Sequence, residues 1–138
     1  MRIVLDTNVL VSALISGDAP PGLLLAAIRR ERLTLVTSEA QLDELRTVLS
    51  RERLRPYIRP GEAEDLVRNL EAIGEVAADL PEVSASPDPD DNRILATAIA
   101  GRADLIVSGD KKHMLALREV NGIPIVTARK ALELLHRG

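Results

Sequence analysis

The stretch Arg2-Ile3-Val4-Leu5-Asp6-Thr7-Asn8-Val9-Leu10-Val11-Ser12 decides the fold. Its first residues form a short, continuously apolar run, which reads as a buried strand. Asp6-Thr7-Asn8 breaks that run, and residues 8–16 are apolar again and suit a short helix. A strand without polar alternation, followed at once by a helix, is the pattern of a parallel sheet covered on both faces.

The same pattern recurs along the chain. Asp18-Ala19-Pro20-Pro21-Gly22 is a turn with Pro placed to start a helix over 21–32. Residues 33–37 read as a second strand. Ser38-Glu39-Ala40-Gln41 has capping-box spacing and opens a helix to about Ser50. Pro56 and Pro60 punctuate a connection, a helix follows over 61–73, and 75–78 is a short strand. Pro81 to Pro89 is a loop, 91–101 an apolar helix ended by Gly101, and Leu105-Ile106-Val107 a buried strand. A short helix over 111–118, a strand over 123–126 and a helix over 128–136 complete the alternation. The expectation is an α/β/α sandwich with a central parallel sheet of four to five strands. The length of 138 residues fits one domain, 1–138.

In an open parallel sheet, ligands bind outside the carboxyl ends of the strands. Asp6 follows the first strand, and Asp110 follows Leu105-Ile106-Val107 after Ser108-Gly109. Polar residues often end strands, so either acid alone says little. The helices add more. In 38–50, Glu39 and Asp43 share a polar row with Arg46 and Ser50, whereas Glu44 shares a row with Ala40 and Val48. Glu44 thus borders the buried face, where an unpaired charge is costly. A solvated Glu reaching past that face to a nearby Arg is the plainer alternative. In 88–101, Asp88, Asp90 and Asp91 crowd the helix start, where N-capping and the helix dipole favour acids. Capping does not explain why the inward row of Ile94, Leu95 and Ala98 begins with Asp91. Asp91 is therefore preferred, with Asp90 and Asp88 in reserve. Four carboxylates converging on one edge would repel one another unless a divalent cation sat among them.

Composition narrows the chemistry. The absence of Cys excludes disulfides, thiolate nucleophiles and Cys-based metal sites, and two His are too few for most zinc sites. A metal would be held by carboxylates, which favours Mg²⁺ or Mn²⁺. No Phe, no Trp and one Tyr, Tyr57, leave almost nothing for stacking on bases. The net charge of −3 is not that of a basic nucleic-acid binder, yet residues 29–59 hold eight Arg against five acids. That flank is compatible with a polyanionic substrate and equally with a solvated helix face. No stretch approaches a membrane span and the first residues show no signal-peptide pattern, so a cytoplasmic location is the expectation.

Four segments together resemble the PIN-domain nucleases. They are Ile3-Val4-Leu5-Asp6-Thr7-Asn8, Ser38 to Glu44-Leu45, Asp88-Pro89-Asp90-Asp91-Asn92-Arg93-Ile94-Leu95-Ala96, and Ile106-Val107-Ser108-Gly109-Asp110. Any one is weak, but all four in order are specific. The Asp-Pro-Asp-Asp-Asn-Arg form is most similar to the small stand-alone PIN proteins regarded as toxins of toxin–antitoxin pairs. The resemblance implies hydrolysis of RNA phosphodiesters with one or two Mg²⁺ or Mn²⁺ ions held by Asp6, Glu44, Asp91 and Asp110. It implies that Asn8 and Ser108 orient those groups, and that products carry a 5′-phosphate and a 3′-hydroxyl.

Arg93, Lys111 and Lys112 flank the expected site and are candidate phosphate contacts. His113 reads more simply as surface decoration than as a general base, since a metal-bound hydroxide needs none. An antitoxin partner would be expected to block the acidic site, with an Arg on the carboxylates. A homodimer is plausible for so small a nuclease, but the apolar helix faces are needed for the core and give no separate interface signal. Other readings compete, among them a receiver-like phospho-acceptor switch, for which the paired acids near the first strand and an acceptor Asp after the third are not evident. Asp6-Thr7-Asn8 superficially resembles the Asp-x-Asp of haloacid-dehalogenase-type phosphatases, but its second acid is missing. A third is a catalytically inactive PIN-fold module that binds RNA or protein.

Overall fold

A computed structural model describes residues 1–137. The elements run β1 (Arg2–Leu5), α1 (Thr7–Ile15), α2 (Pro20–Arg29), β2 (Thr34–Ser38), α3 (Glu39–Leu49), a 3₁₀ turn (Glu52–Tyr57) and α4 (Glu62–Ile73). They continue with β3 (Glu75–Ala77), α5 (Pro89–Ala100), β4 (Leu105–Val107), α6 (Met114–Leu117), β5 (Glu119–Val120), β6 (Ile123–Val126) and α7 (Ala128–Arg137). The sheet order is β3-β2-β1-β4-β6-β5. The first five strands of that order are parallel, with Ile3 opposite Leu35 on one side and Leu105 on the other.

Side-chain alternation along the strands builds two cores. Ile3, Leu5, Leu35, Leu105 and Val107 point to one face and pack with α1, α2, α3, α4 and α7. Val4, Val36, Ile106 and Ile125 point to the other and pack with Ile94, Leu95 and Ala98 of α5 and Met114 of α6. Both faces are covered, which is why the strands read as unbroken apolar runs. Gly101 ends α5 where a Cβ would overlap Val36 Cγ1, so that helix end lies hard against the sheet.

The sheet has one strand more than expected. Val120 pairs with Ile123 across a two-residue turn, antiparallel, at the β6 edge. Asn121 and Gly122 both have positive φ, of 48° and 81°, as a type I′ hairpin turn requires. The alternation of strands and helices does not anticipate this hairpin; the Asn-Gly dipeptide does. Two other local expectations change. The helix expected over 111–118 shortens to Met114–Leu117, because Lys111 to His113 form a turn on Asp110. The capping box is half formed: Ser38 Oγ accepts from the Gln41 backbone N–H at 3.3 Å, but the Gln41 side chain turns inward. There it donates to the Leu5 carbonyl and accepts from Thr37 Oγ1 at 2.9 Å.

Candidate active site

That inward Gln41 ties the end of β1 to β2 and α3, one residue before Asp6 and three before Glu44. A buried amide with both ends satisfied is rigid, so it fixes the first two acids relative to each other. A second link sets α5: Ser38 Oγ lies 2.8 Å from Thr97 Oγ1, and both side chains are buried.

Asp6, Glu44, Asp91 and Asp110 all line one cleft of about 600 Å³ at the carboxyl edge of the sheet, with Thr7, Asn8, Asp43, Asp88, Asp90, Arg51 and Arg93. Asp6 is buried and accepts from Ser108 Oγ at 2.8 Å. Asp91 is buried and accepts from Ser86 Oγ at 2.9 Å. Glu44 is half-buried on α3, as its row on the helix implies. Asp110 is half-buried and accepts from the backbone N–H groups of Lys112 at 3.0 Å and His113 at 3.2 Å.

The neighbouring acids of α5 divide by environment. Asp88 caps the helix, accepting from Asp90 N–H at 2.9 Å. Asp90 is exposed and pairs with Arg93 at 2.6 Å. Asp91 alone turns into the sheet edge. All three line the cleft, but only Asp91 is buried.

The electrostatics of the cleft are only partly relieved. Burial raises the Asp6 carboxyl above its ordinary range; Ser108 offsets part of the rise, and Asp91 and Asp110 add to it. Burial likewise raises Glu44, with Asp90 and Asp6 adding and Arg93 opposing. Asp91 is raised by burial, against the Ser86 hydrogen bond, with Asp88 and Asp110 adding. In each case the charged form is disfavoured by lost water and like charge.

Thr7 is a further feature that strand-and-helix patterning does not mark. The Thr7 hydroxyl beside Glu44 offsets part of its rise. It closes no hydrogen bond of normal geometry and is the one buried side-chain polar atom without a partner among the described residues. An orphaned hydroxyl among crowded oxygens suits a hydrated hard cation, which brings both positive charge and water donors and acceptors. The donor set therefore fits Mg²⁺ or Mn²⁺. Candidate ligand atoms of Asp91, Asp110 and His113 also lie within 4.8 Å of one another, with His113 Nδ1 3.7 Å from Asp110 Oδ2. His113 thus sits at the site rather than as surface decoration.

Of the remaining candidates, Ser108 donates to Asp6, the kind of contact with the carboxylates that the resemblance implies for it. Asn8 is exposed and lines the cleft, and its side chain makes no hydrogen bond among the described residues. Lys111 and Lys112 are exposed and lie outside the cleft lining. Ser86 and Arg51 are site residues that periodicity does not reveal. Ser86 belongs to the loop before α5 and is clamped by Asn92, whose Oδ1 accepts from Ser86 N–H at 2.9 Å. Arg51 follows α3.

A family model for the PIN domain matches residues 2–112. The chain belongs to the PIN-domain family. An uncharacterized protein of Methanocaldococcus jannaschii, MJ1680, is 31% identical over 124 residues, covering 88% of this chain and 77% of that one. Among solved structures, VapBC2 from Rickettsia felis bound to a DNA fragment from their promoter shares the fold. Its TM-score is 0.56 at 16% identity, over 91% of this chain and 97% of the other. PIN domains are generally nucleases, and the acid-lined cleft is in keeping with their use of divalent metals. Among the described residues no single helix is long and apolar enough to cross a membrane.

Proposed function

We propose that this PIN domain is a metal-dependent endoribonuclease that hydrolyses single-stranded RNA, with residues 1–138 acting as one domain. The observation that carries the proposal is the cleft itself. Asp6, Glu44 and Asp91 are all raised by burial and like charge, Asp110 stands beside them, and among the described residues none has a cationic side chain paired to it, His113 aside. A fold keeps such a cluster only where something else neutralises it.

Asp6, Glu44, Asp91 and Asp110 would hold one or two Mg²⁺ or Mn²⁺ ions. Bound there, the ion would polarise a phosphoryl oxygen and lower the pKa of a water. The protein's own work is positional. Ser108 holds Asp6 and Ser86 holds Asp91, so both carboxylates meet the cleft at fixed angles. Asn8 and the free Thr7 hydroxyl offer neutral polar contacts to water or to the substrate. Arg93 and, farther out, Lys111 and Lys112 offset the field of the acids for an arriving polyanion. Attack by water on phosphorus, with the P–O3′ bond broken and the 3′ oxygen leaving, would give a 5′-phosphate and a 3′-hydroxyl.

We further propose an antitoxin partner that closes the cleft with a cationic side chain on the carboxylates. The likeness of Asp88 to Arg93 to the stand-alone toxin form supports this, as does a fold shared with VapBC2.

The deciding experiment is cleavage of mixed-sequence single-stranded RNA with Mn²⁺, with EDTA, and by Asp6→Asn. Cleavage that needs the ion and falls about 1000-fold in the variant supports the reading, the scale being several kcal/mol of lost charge stabilisation. Equal activity of wild type and variant refutes the assigned site, and no cleavage by folded, metal-bound wild type refutes the nuclease.

A further inference from the structure

The protein is net acidic, yet it gathers cations beside its acidic cleft. Arg51-Glu52-Arg53-Leu54-Arg55-Pro56-Tyr57-Ile58-Arg59 forms the 3₁₀ turn after α3 and its flanks. Leu54 and Ile58, four apart, pack against the core and anchor the turn. Arg51, Arg53, Arg55, Tyr57 and Arg59 all face solvent. The segment holds four Arg against one acid, Glu52, so it carries a local charge of 4 − 1 = +3.

These four guanidinium groups, like most arginines of the chain, form no ion pair among the described residues, and here they are gathered within nine residues. Every base in the segment is Arg, whose planar fork suits phosphate oxygens better than a Lys ammonium does. Arg51 lines the cleft, so the basic turn is continuous with the site of the carboxylates.

Tyr57 stands at the far end of the turn. It is the chain's one aromatic residue and, at 64% exposure, the most exposed of its large apolar side chains. At about 2 Å rise per residue, a 3₁₀ turn puts it roughly 12 Å along from Arg51. An exposed ring among unpaired guanidinium groups is the composition of a surface that tracks single-stranded nucleic acid by phosphate contact and base stacking.

We propose that Arg51 to Arg59 is a platform for single-stranded RNA leaving the cleft, with Arg51 on a phosphate and Tyr57 stacked on a base. The strand's charge supplies the complement that the turn lacks within the protein. The proposal rests on the ribonuclease reading for its choice of polyanion.

The sequence provides a direct probe: with no Trp, the intrinsic emission of the protein belongs to Tyr57. Wild-type protein in EDTA is titrated with a short mixed-sequence oligoribonucleotide, correcting for absorption by the RNA. Saturable quenching of Tyr57 is expected. With labelled RNA, Tyr57→Ala should weaken binding roughly 5- to 150-fold and Tyr57→Phe should keep it, the range for loss of one stacked base. Arg51→Gln should lower the slope of log affinity against log salt by about 0.7. Binding with unchanged Tyr57 emission, or equal affinity of Tyr57→Ala and wild type, overturns the platform and leaves the turn to a protein partner. Absence of binding overturns it as well. Metal-dependent cleavage beside unchanged emission would remove the platform alone, whereas quenching without cleavage under Mn²⁺ would remove the nuclease and keep the platform.

Discussion

The two edges of the sheet treat the same chemistry in opposite ways. At the amino edge, Asp104 accepts from the Arg2 backbone N–H at 2.8 Å, and Glu75 pairs with the Arg2 guanidinium. The rest of that guanidinium donates to the Gly101 carbonyl at 2.6 and 3.1 Å. The Arg2 guanidinium has every donor nitrogen engaged, and β1, β3 and the end of α5 are bound together through it. At the carboxyl edge, four acids share a cleft whose acids push one another's pKa upward. One edge is arranged for stability and the other is held at its expense, which is how function is expected to show itself in a fold.

The largest way to break this contrast is to fill or discharge the carboxyl edge. Asp6, Glu44 and Asp91 have raised folded pKa values, so each contributes stability below its unfolded pKa of about 4 that is lost as pH rises through the folded value. Metal-free protein should therefore lose thermal stability as pH climbs from about 4 toward neutrality. Mn²⁺ at neutral pH should restore it, by about 2.7 kcal/mol at a hundredfold excess over Kd. Asp6→Asn keeps an acceptor for Ser108 and removes one charge. It should raise the Tm of the metal-free protein by a few degrees and blunt the response to Mn²⁺. Calorimetry across pH, with and without the ion, tests all three. A metal-free Tm that rises with pH over this window would mean the acids are relieved internally.

How far the sequence carries follows from the same contrast. Periodicity separates Asp91 from Asp90 and Glu44 from Asp43, because a helix of regular pitch assigns faces to consecutive residues. The strand ends place Asp6 and Asp110 because a parallel sheet has one binding edge. What escapes is whatever depends on a side chain's partner rather than its row. Gln41 has capping-box spacing but binds the Leu5 carbonyl instead. Ser86 lies in an aperiodic loop, and nothing local marks it as the donor to Asp91. Thr7 is notable for a bond it lacks, which only packing can show. A single Tyr57 leaves composition almost no sign of base stacking, and only packing shows that its ring is exposed.

A smaller effect sharpens the amino edge. Arg2→Gln removes the pair with Glu75 and the charged donors to Gly101. Both partners are partly exposed, so the ion pair adds little, and the hydrogen bonds dominate at about 1 kcal/mol. Urea denaturation should show that loss while RNA cleavage at saturating Mn²⁺ stays as in wild type. Lost cleavage at unchanged stability would tie the two edges together and dissolve the contrast.

The smallest expected effect lies inside the site. Ser86 Oγ donates to Asp91 Oδ2 at 2.9 Å and thereby favours the charged carboxylate. Ser86→Ala withdraws that donor, so the Asp91 pKa should rise further. If Asp91 must be ionised to work, the acid limb of the cleavage–pH profile moves to higher pH, while the rate well above neutrality changes little. Loss of positioning would act differently: the rate would fall alike at every pH, since a misaligned carboxylate is no better placed when charged. The Ser86 hydroxyl also accepts from Asp88 N–H at 3.2 Å, so the variant releases one bond of the loop before α5. Ser86→Thr restores the hydroxyl and should return the acid limb to its wild-type position. A shift that Thr fails to reverse would assign Ser86 to the loop's shape and leave the tuning of Asp91 to burial alone.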